Sequence, residues 1–217
     1  MRDIKRYLIV VFCFMMIGVG CALTLKAGVG VSAWDALSQT GYDIFKIKAG
    51  TISMILNGFC VLVQIIILRK DFRLVQLLQI PCSIVFGYIT NFVLYDILGN
   101  IEITNYFMNI VLFTFGIIWN ALFVSVIMCI DAVTTALEGA CQALTRVLPF
   151  EFSKIRQAVD VISMAFILIL VFTMDIPSSI REGTVIAMII FGPLLGIFMK
   201  HFEKLIIKLD LHNQSNI

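Results

Sequence analysis

Six apolar runs of about twenty residues, separated by short charged loops, set the pattern of the chain: 7–25, 49–69, 74–97, 106–130, 154–174 and 183–199. An α-helix rises about 1.5 Å per residue, so a run of about twenty residues crosses the roughly 30 Å hydrocarbon core of a bilayer. Each run is expected to be a membrane span. Two shorter stretches, 32–45 and 132–148, also have helical spacing. The first is interrupted by Asp35, Gln39 and Asp43, the second by Glu138, Gln142 and Arg146. They are too short and too polar to be independent spans, and are expected either to re-enter the bilayer or to lie along its surface with Trp34, Leu37, Ile44 and Phe45 buried.

Each short stretch opens with the same device. Ser32 is followed three residues later by Asp35, and Thr135 three residues later by Glu138. A hydroxyl that accepts a free first-turn amide, with an acid reaching back to it, is a capping box. Setting Ser32 on Thr135 without a gap also places Ser53 on Arg156, Asn57 on Asp160 and Cys60 on Ser163. With a small shift, Ile84-Val85-Phe86-Gly87 falls on Ile189-Ile190-Phe191-Gly192. The polar matches carry this reading, because apolar helices match one another cheaply. The expected architecture is an all-α polytopic membrane helix bundle: two inverted repeats of three spans each, 1–103 and 104–199, each with a short re-entrant or interfacial helix. Three spans per unit make the second unit enter the bilayer from the opposite face, a ground plan common among transporters.

Composition strengthens the membrane reading. Of 217 residues, 60% are hydrophobic and 14% charged, against about 45–50% and about 25% in soluble domains. The mean hydropathy is +1.02. A net charge of +2 with scattered basic residues excludes nucleic acid as the expected partner. The partners expected are the lipid bilayer, a small solute or ion, and a second copy or another membrane protein. Cys13, Cys21, Cys60, Cys82, Cys129 and Cys141 stand singly in or beside apolar runs, as small hydrophobes do. His201 and His212 both follow the last span, so no metal or other cofactor is expected. No nucleophile–base pair, carboxylate dyad in a polar setting or phosphate-binding loop is present, so the chain is not expected to be an enzyme.

Lysine and arginine set the orientation. With six spans and both termini cytoplasmic, Arg2, Lys5, Arg6, Arg69, Lys70, Arg73, Arg146, Lys154, Arg156, Lys200, Lys204 and Lys208 fall at the inner side, and Lys26, Lys46, Lys48 and Arg181 outside. An eight-span arrangement moves Arg69, Lys70 and Arg73 outside. The tail 200–217 carries Lys200, Lys204 and Lys208 on one face and Phe202, Leu205, Ile206 and Leu209 on another, an amphipathic strip suited to the inner lipid surface.

Polar side chains within the spans are the candidates for function. Ser53, Asn57 and Gln64 share one face of the second span, and Arg156, Asp160 and Ser163 one face of the fifth. Such groups are costly against lipid and should face the bundle interior. Asp35, Asn57, Glu138, Arg156 and Asp160 are the candidates for a solute or ion path. Their alternative role is structural, with helix capping by the acids, an Arg156–Asp160 pair one turn apart and interhelical hydrogen bonds. Gly28, Gly30, Gly192 and Pro193 are candidates for hinges or close packing, and Gly192-Pro193 should bend the last span or free a carbonyl within it.

The stretch Lys26-Ala27-Gly28-Val29-Gly30-Val31-Ser32-Ala33-Trp34-Asp35-Ala36-Leu37, with Gly50-Thr51, Gly183-Thr184 and Gly192-Pro193, resembles the YczE/YitT-like group of bacterial membrane proteins over about residues 7–199. The resemblance implies a multi-pass protein of the bacterial cytoplasmic membrane and supplies no substrate. The expected function is a small transporter or permease-like protein. The alternative is a non-transporting membrane partner that captures a substrate for, or supports, a larger complex.

Overall fold

A computed structural model describes residues 2–178 and 180–208, so Leu209 of the expected tail lies outside the described residues. The chain is all-helical: α1 (Arg2–Ala27), α2 (Ala33–Phe45), α3 (Ala49–Leu68), α4 (Gln79–Asn91), α5 (Tyr106–Ile130), α6 (Ala136–Thr145), α7 (Phe152–Met174) and α8 (Glu182–Lys208). By length and composition, six helices suffice to cross a membrane: α1, α3, the segment Leu74–Ile97, α5, α7 and α8.

The third span is segmented rather than uniform. A 3₁₀ stretch, Leu74–Leu78, precedes α4, and a π-helical turn, Phe92–Ile97, follows it. Pro81 explains the first break, because proline fits the opening turn of a helix and not its interior. At the other end, Asn91 Oδ1 accepts from the Gly50 amide (2.9 Å) and the Tyr95 hydroxyl oxygen from the Ala49 amide (3.1 Å). These side chains supply acceptors for the first turn of α3, whose own cap residue Lys48 provides none.

The last helix also differs from expectation. α8 continues to Lys208 because Phe202 and Ile206 pack on the bundle's own core, in the cluster that holds Val10, Ile127 and Ile130. It runs through Pro193 as one helix; the proline lacks the N–H that would bond Ile189, leaving that carbonyl without its usual intrahelical donor.

α1 and α5 pack along one another, α4 flanks α1, and α8 flanks α5. The short helices α2 and α6 each lie between α3 and α7. Ala36, Ser38 and Thr40 of α2 and Ala140 and Cys141 of α6 are buried, so both helices are enclosed by the bundle rather than laid against its outside. α3 also packs along α4, whereas α7 is held chiefly through α2 and α6.

The 28–32 crossing depends on glycine. Gly28 has φ +64° and Gly30 φ +136°. A β-carbon on Gly30 would strike the Thr184 amide, and one on Gly183 would lie 2.6 Å from the Val29 carbonyl oxygen. The close approach lets Gly183 N donate to Val29 O (2.9 Å), Val31 N to Thr184 Oγ1 (3.3 Å) and Arg181 to Gly28 O (2.6 Å). The entry to α2 is thereby fastened to the start of α8.

Candidate functional site

Both short helices begin inside the bundle. Ser32 caps α2: its Oγ accepts from the Asp35 amide (3.1 Å) and donates to Asp35 Oδ2 (2.8 Å). The carboxylate therefore reaches the hydroxyl of the cap residue. At α6, Thr135 Oγ1 likewise donates to Glu138 Oε2, although it accepts no backbone amide. The same hydroxyl–acid pair thus opens both helices.

These two starts converge. Trp34, at the head of α2, packs on the cluster formed by Cys60 and Val61 of α3, Ala136, Leu137, Ala140 and Cys141 of α6, and Ile155 of α7. Arg156 of α7 bonds Asp160 one turn along its own helix and approaches Glu138 across the interface, Nε to Oε1 3.5 Å. Asp35 lies within electrostatic reach of Arg156 and Glu138. Four of the five path candidates, Asp35, Glu138, Arg156 and Asp160, therefore form one largely buried group. Fully ionised, it holds three negative charges against one positive.

Such an arrangement is costly unless the excess charge is met by a proton or a cation, because desolvation raises the energy of every unpaired carboxylate. The helix starts offset part of it, since each presents the positive end of its dipole to an acid. The Trp34 indole N–H is buried there without an acceptor among the described residues.

The fifth candidate, Asn57, is half-buried on α3 and stands outside this ion group. Its neighbours on the same face are committed to packing: Ser53 Oγ donates to Ser38 Oγ of α2 (2.8 Å), and Gln64 belongs to an amide network. Gly192 and Gly196 face open space on α8, so neither makes a close helix crossing among the described residues.

Of the amide network, the sequence singles out only Gln64, on the polar face of the second span. Gln64 and Gln79, 1% and 0% exposed, pair side chain to side chain: Gln64 Nε2 donates to Gln79 Oε1 (2.8 Å), and Gln79 Nε2 to Gln64 Oε1 (3.2 Å). Gln64 Nε2 also donates to Ala136 O (3.0 Å), and Gln79 Nε2 to Gln76 Oε1 (2.5 Å) and Thr134 Oγ1 (3.2 Å). Gly139 permits this, because a β-carbon there would lie 2.8 Å from Gln64 Oε1. Gln79 lies inside the expected third span 74–97 with nothing in the sequence to mark it as a partner.

Above this network lies an open cavity of about 170 Å³, bordered by Gln64, Gln76, Thr134, Gln142, Asp71 and Arg146 among others. Asp71 and Arg146 form a loose ion pair at its edge, Nη1 to Oδ2 3.8 Å, with side chains 75% and 61% exposed. It opens at the end of the bundle that carries Arg69, Lys70 and Arg73. Gly139 on its wall adjoins Glu138 of the ion group, so one short helix borders both features.

All six cysteines are buried and free, with Cys60 and Cys141 beside the ion group. Among the described residues no three histidine, cysteine or acidic side chains are placed to hold a metal ion. No curated protein and no solved structure matches the chain. Residues 4–200 match DUF6198, a family of unknown function, and the chain belongs to that family.

Proposed function

We propose that this protein is a small transporter or permease-like protein for a small solute or ion, that it is not an enzyme, and that Asp35, Glu138, Arg156 and Asp160 form the centre of its path. The observation that carries this reading is the convergence of one arginine and three carboxylates at the starts of two enclosed short helices. Helix starts within a bundle, bearing ionisable side chains, are the pattern of a transporter's central site. The unbalanced negative charge favours a proton or another cation as the coupling species.

The pairing of helices supports two inverted repeats, α1–α4 and α5–α8. Exchanging the halves carries α1 with α4 into α5 with α8, α2 with α3 into α6 with α7, and α3 with α6 into α7 with α2; all of these pairs are in contact. The basic end, where Arg6, Arg69, Lys70, Arg73 and Arg146 gather, is the cytoplasmic one on the positive-inside rule. Together with the resemblance to the YczE/YitT-like group, this supports a bacterial cytoplasmic membrane with both termini inside.

A second reading, a non-transporting partner of another membrane protein, is favoured by the outward faces of α7 and α8. Unlike α3 and α4, these two helices do not pack along each other. The test is Asp160→Cys in a cysteine-free background, probed with an impermeant thiol reagent from each side of the membrane. Labelling in the folded protein supports a water-filled path. Complete protection from both sides rejects the path and leaves the partner reading.

A further inference from the structure

We propose that the cavity beside Gln64 binds a small zwitterion, a solute or headgroup carrying one ammonium and one anionic group a few bonds apart. The cavity holds about 170 Å³ and is open at the basic end of the bundle, room for several water molecules. That admits a molecule the size of a small amino acid.

The lining selects charge type. Asp71, on the 3₁₀ turn after α3, and Arg146, at the end of α6, approach the cavity from different elements. Arg73 and Asp131 add a second charge of each sign, each with a partner of its own. The formal charge of these four residues is zero. A net anion meets the two acids and a net cation the two arginines, so either is attracted by one wall and repelled by another. A dipolar solute satisfies both. At 3.8 Å and largely exposed, the Asp71–Arg146 pair holds little of its own stability and can exchange for ligand groups.

The floor supports the same conclusion. Gln64, Gln76 and Thr134 line it as a fixed polar surface, held from behind by the buried Gln79. With their mutual bonds made, the amides still have unused acceptor capacity, since each carbonyl oxygen carries two lone pairs. The site differs from the Asp35–Glu138–Arg156–Asp160 group and does not depend on its being a path.

Purified full-length protein in a nonionic detergent free of zwitterions, followed by thermal unfolding, tests the proposal. The probes are L-alanine, L-serine and L-glutamine, their N-acetyl and methyl-ester derivatives, and dihexanoyl phosphatidylethanolamine. The expected result is a rise in Tm of a few degrees with the free amino acids. N-acetylation, which leaves a net anion, and esterification, which leaves a net cation, should each remove it. A rise with the short-chain phospholipid alone assigns the same site to a membrane headgroup. Asp71→Ala and Arg146→Ala alter exposed side chains, should fold, and should each abolish the rise. No shift with any probe overturns the proposal, as does an equal shift in both variants. Because Tm reports binding and thiol labelling at position 160 reports a path, either conclusion can fail without the other.

Discussion

Arg156 of α7 reaches Glu138 of α6, Nε to Oε1 3.5 Å, while it bonds Asp160 on its own helix. This contact does more than pair charges, because α7 meets the rest of the bundle chiefly through the two short helices. Arg156→Leu leaves three carboxylates without their cation and is expected to cost about 3–5 kcal/mol. Removing the charge on both partners should restore most of that loss, so Arg156→Leu with Glu138→Gln and Asp160→Asn should be more stable than Arg156→Leu alone. Unfolding of the purified variants in mixed micelles measures both. Equal stability of the single and triple variants would show that Arg156 acts through packing alone.

Gly50 and Gly87 form the closest point of the α3–α4 crossing. A β-carbon on Gly87 would strike the Gly50 carbonyl oxygen and come within 2.6 Å of Met54 Cγ. Gly87→Val is expected to destabilise by about 1–3 kcal/mol, the usual cost of overpacking. Gly192→Val should be near neutral in the same monomer, since nothing lies within 4 Å of that position. Comparable losses in the two variants would mean that α8 meets a neighbour beyond this chain.

That contrast shows where the sequence stops being legible. Gly87 and Gly192 occupy matching places in the two repeated patterns, yet one is packed and the other open. A face turned to lipid and a face turned to another helix are both apolar, so hydropathy marks the spans without marking their partners. The six spans and the starts of both short helices were readable because length and a hydroxyl–acid pair suffice to signal them. Asp35, Glu138, Arg156 and Asp160 could be singled out because ionisable residues stand out in apolar segments. The cavity could not, because Gln76, Gln79 and Thr134 are unremarkable in isolation and acquire a common surface only when α4 and the α5–α6 turn meet α3.

The amide pair is expected to behave as one unit. Gln64→Leu strands Gln79 and the Ala136 carbonyl, and Gln79→Leu strands Gln64 and Gln76. Each should cost about 1–3 kcal/mol, the penalty of leaving a buried polar group without its partner. The double variant should lose clearly less than the sum, because apolar groups then face one another. Additive losses in a double-mutant cycle would show that the two amides are stabilised by separate contacts.

Backbone geometry separates the two glycines before α2. Gly28 has φ +64° with open surroundings, while Gly30 has φ +136° against the start of α8. Asparagine tolerates the first conformation, so Gly28→Asn should cost little. Gly30→Ala has both a disfavoured conformation, worth about 1–3 kcal/mol, and a collision with the Thr184 amide. It should unfold at lower temperature and release the bond from Val31 N to Thr184 Oγ1, which slower amide exchange at Val31 in the native protein than in Gly30→Ala would report.

The orientation can be read directly, because Arg73 and Asn100 lie at opposite ends of the third span. Arg73 shares its end with Arg6, whose guanidinium donates to the last carbonyl of α5, Ile130 O, at 3.2 Å. Asn100 shares the other end with Lys26, which donates to Gly99 O at 3.4 Å. Basic residues predominate around Arg73, so a fusion there should be active with a reporter that works only in the cytoplasm, and a fusion after Asn100 with one that works only outside. Both fusions active on one side would break the six-crossing arrangement. The two activities reversed would keep the bundle and turn it over, placing the cavity beside Gln64 on the outer surface.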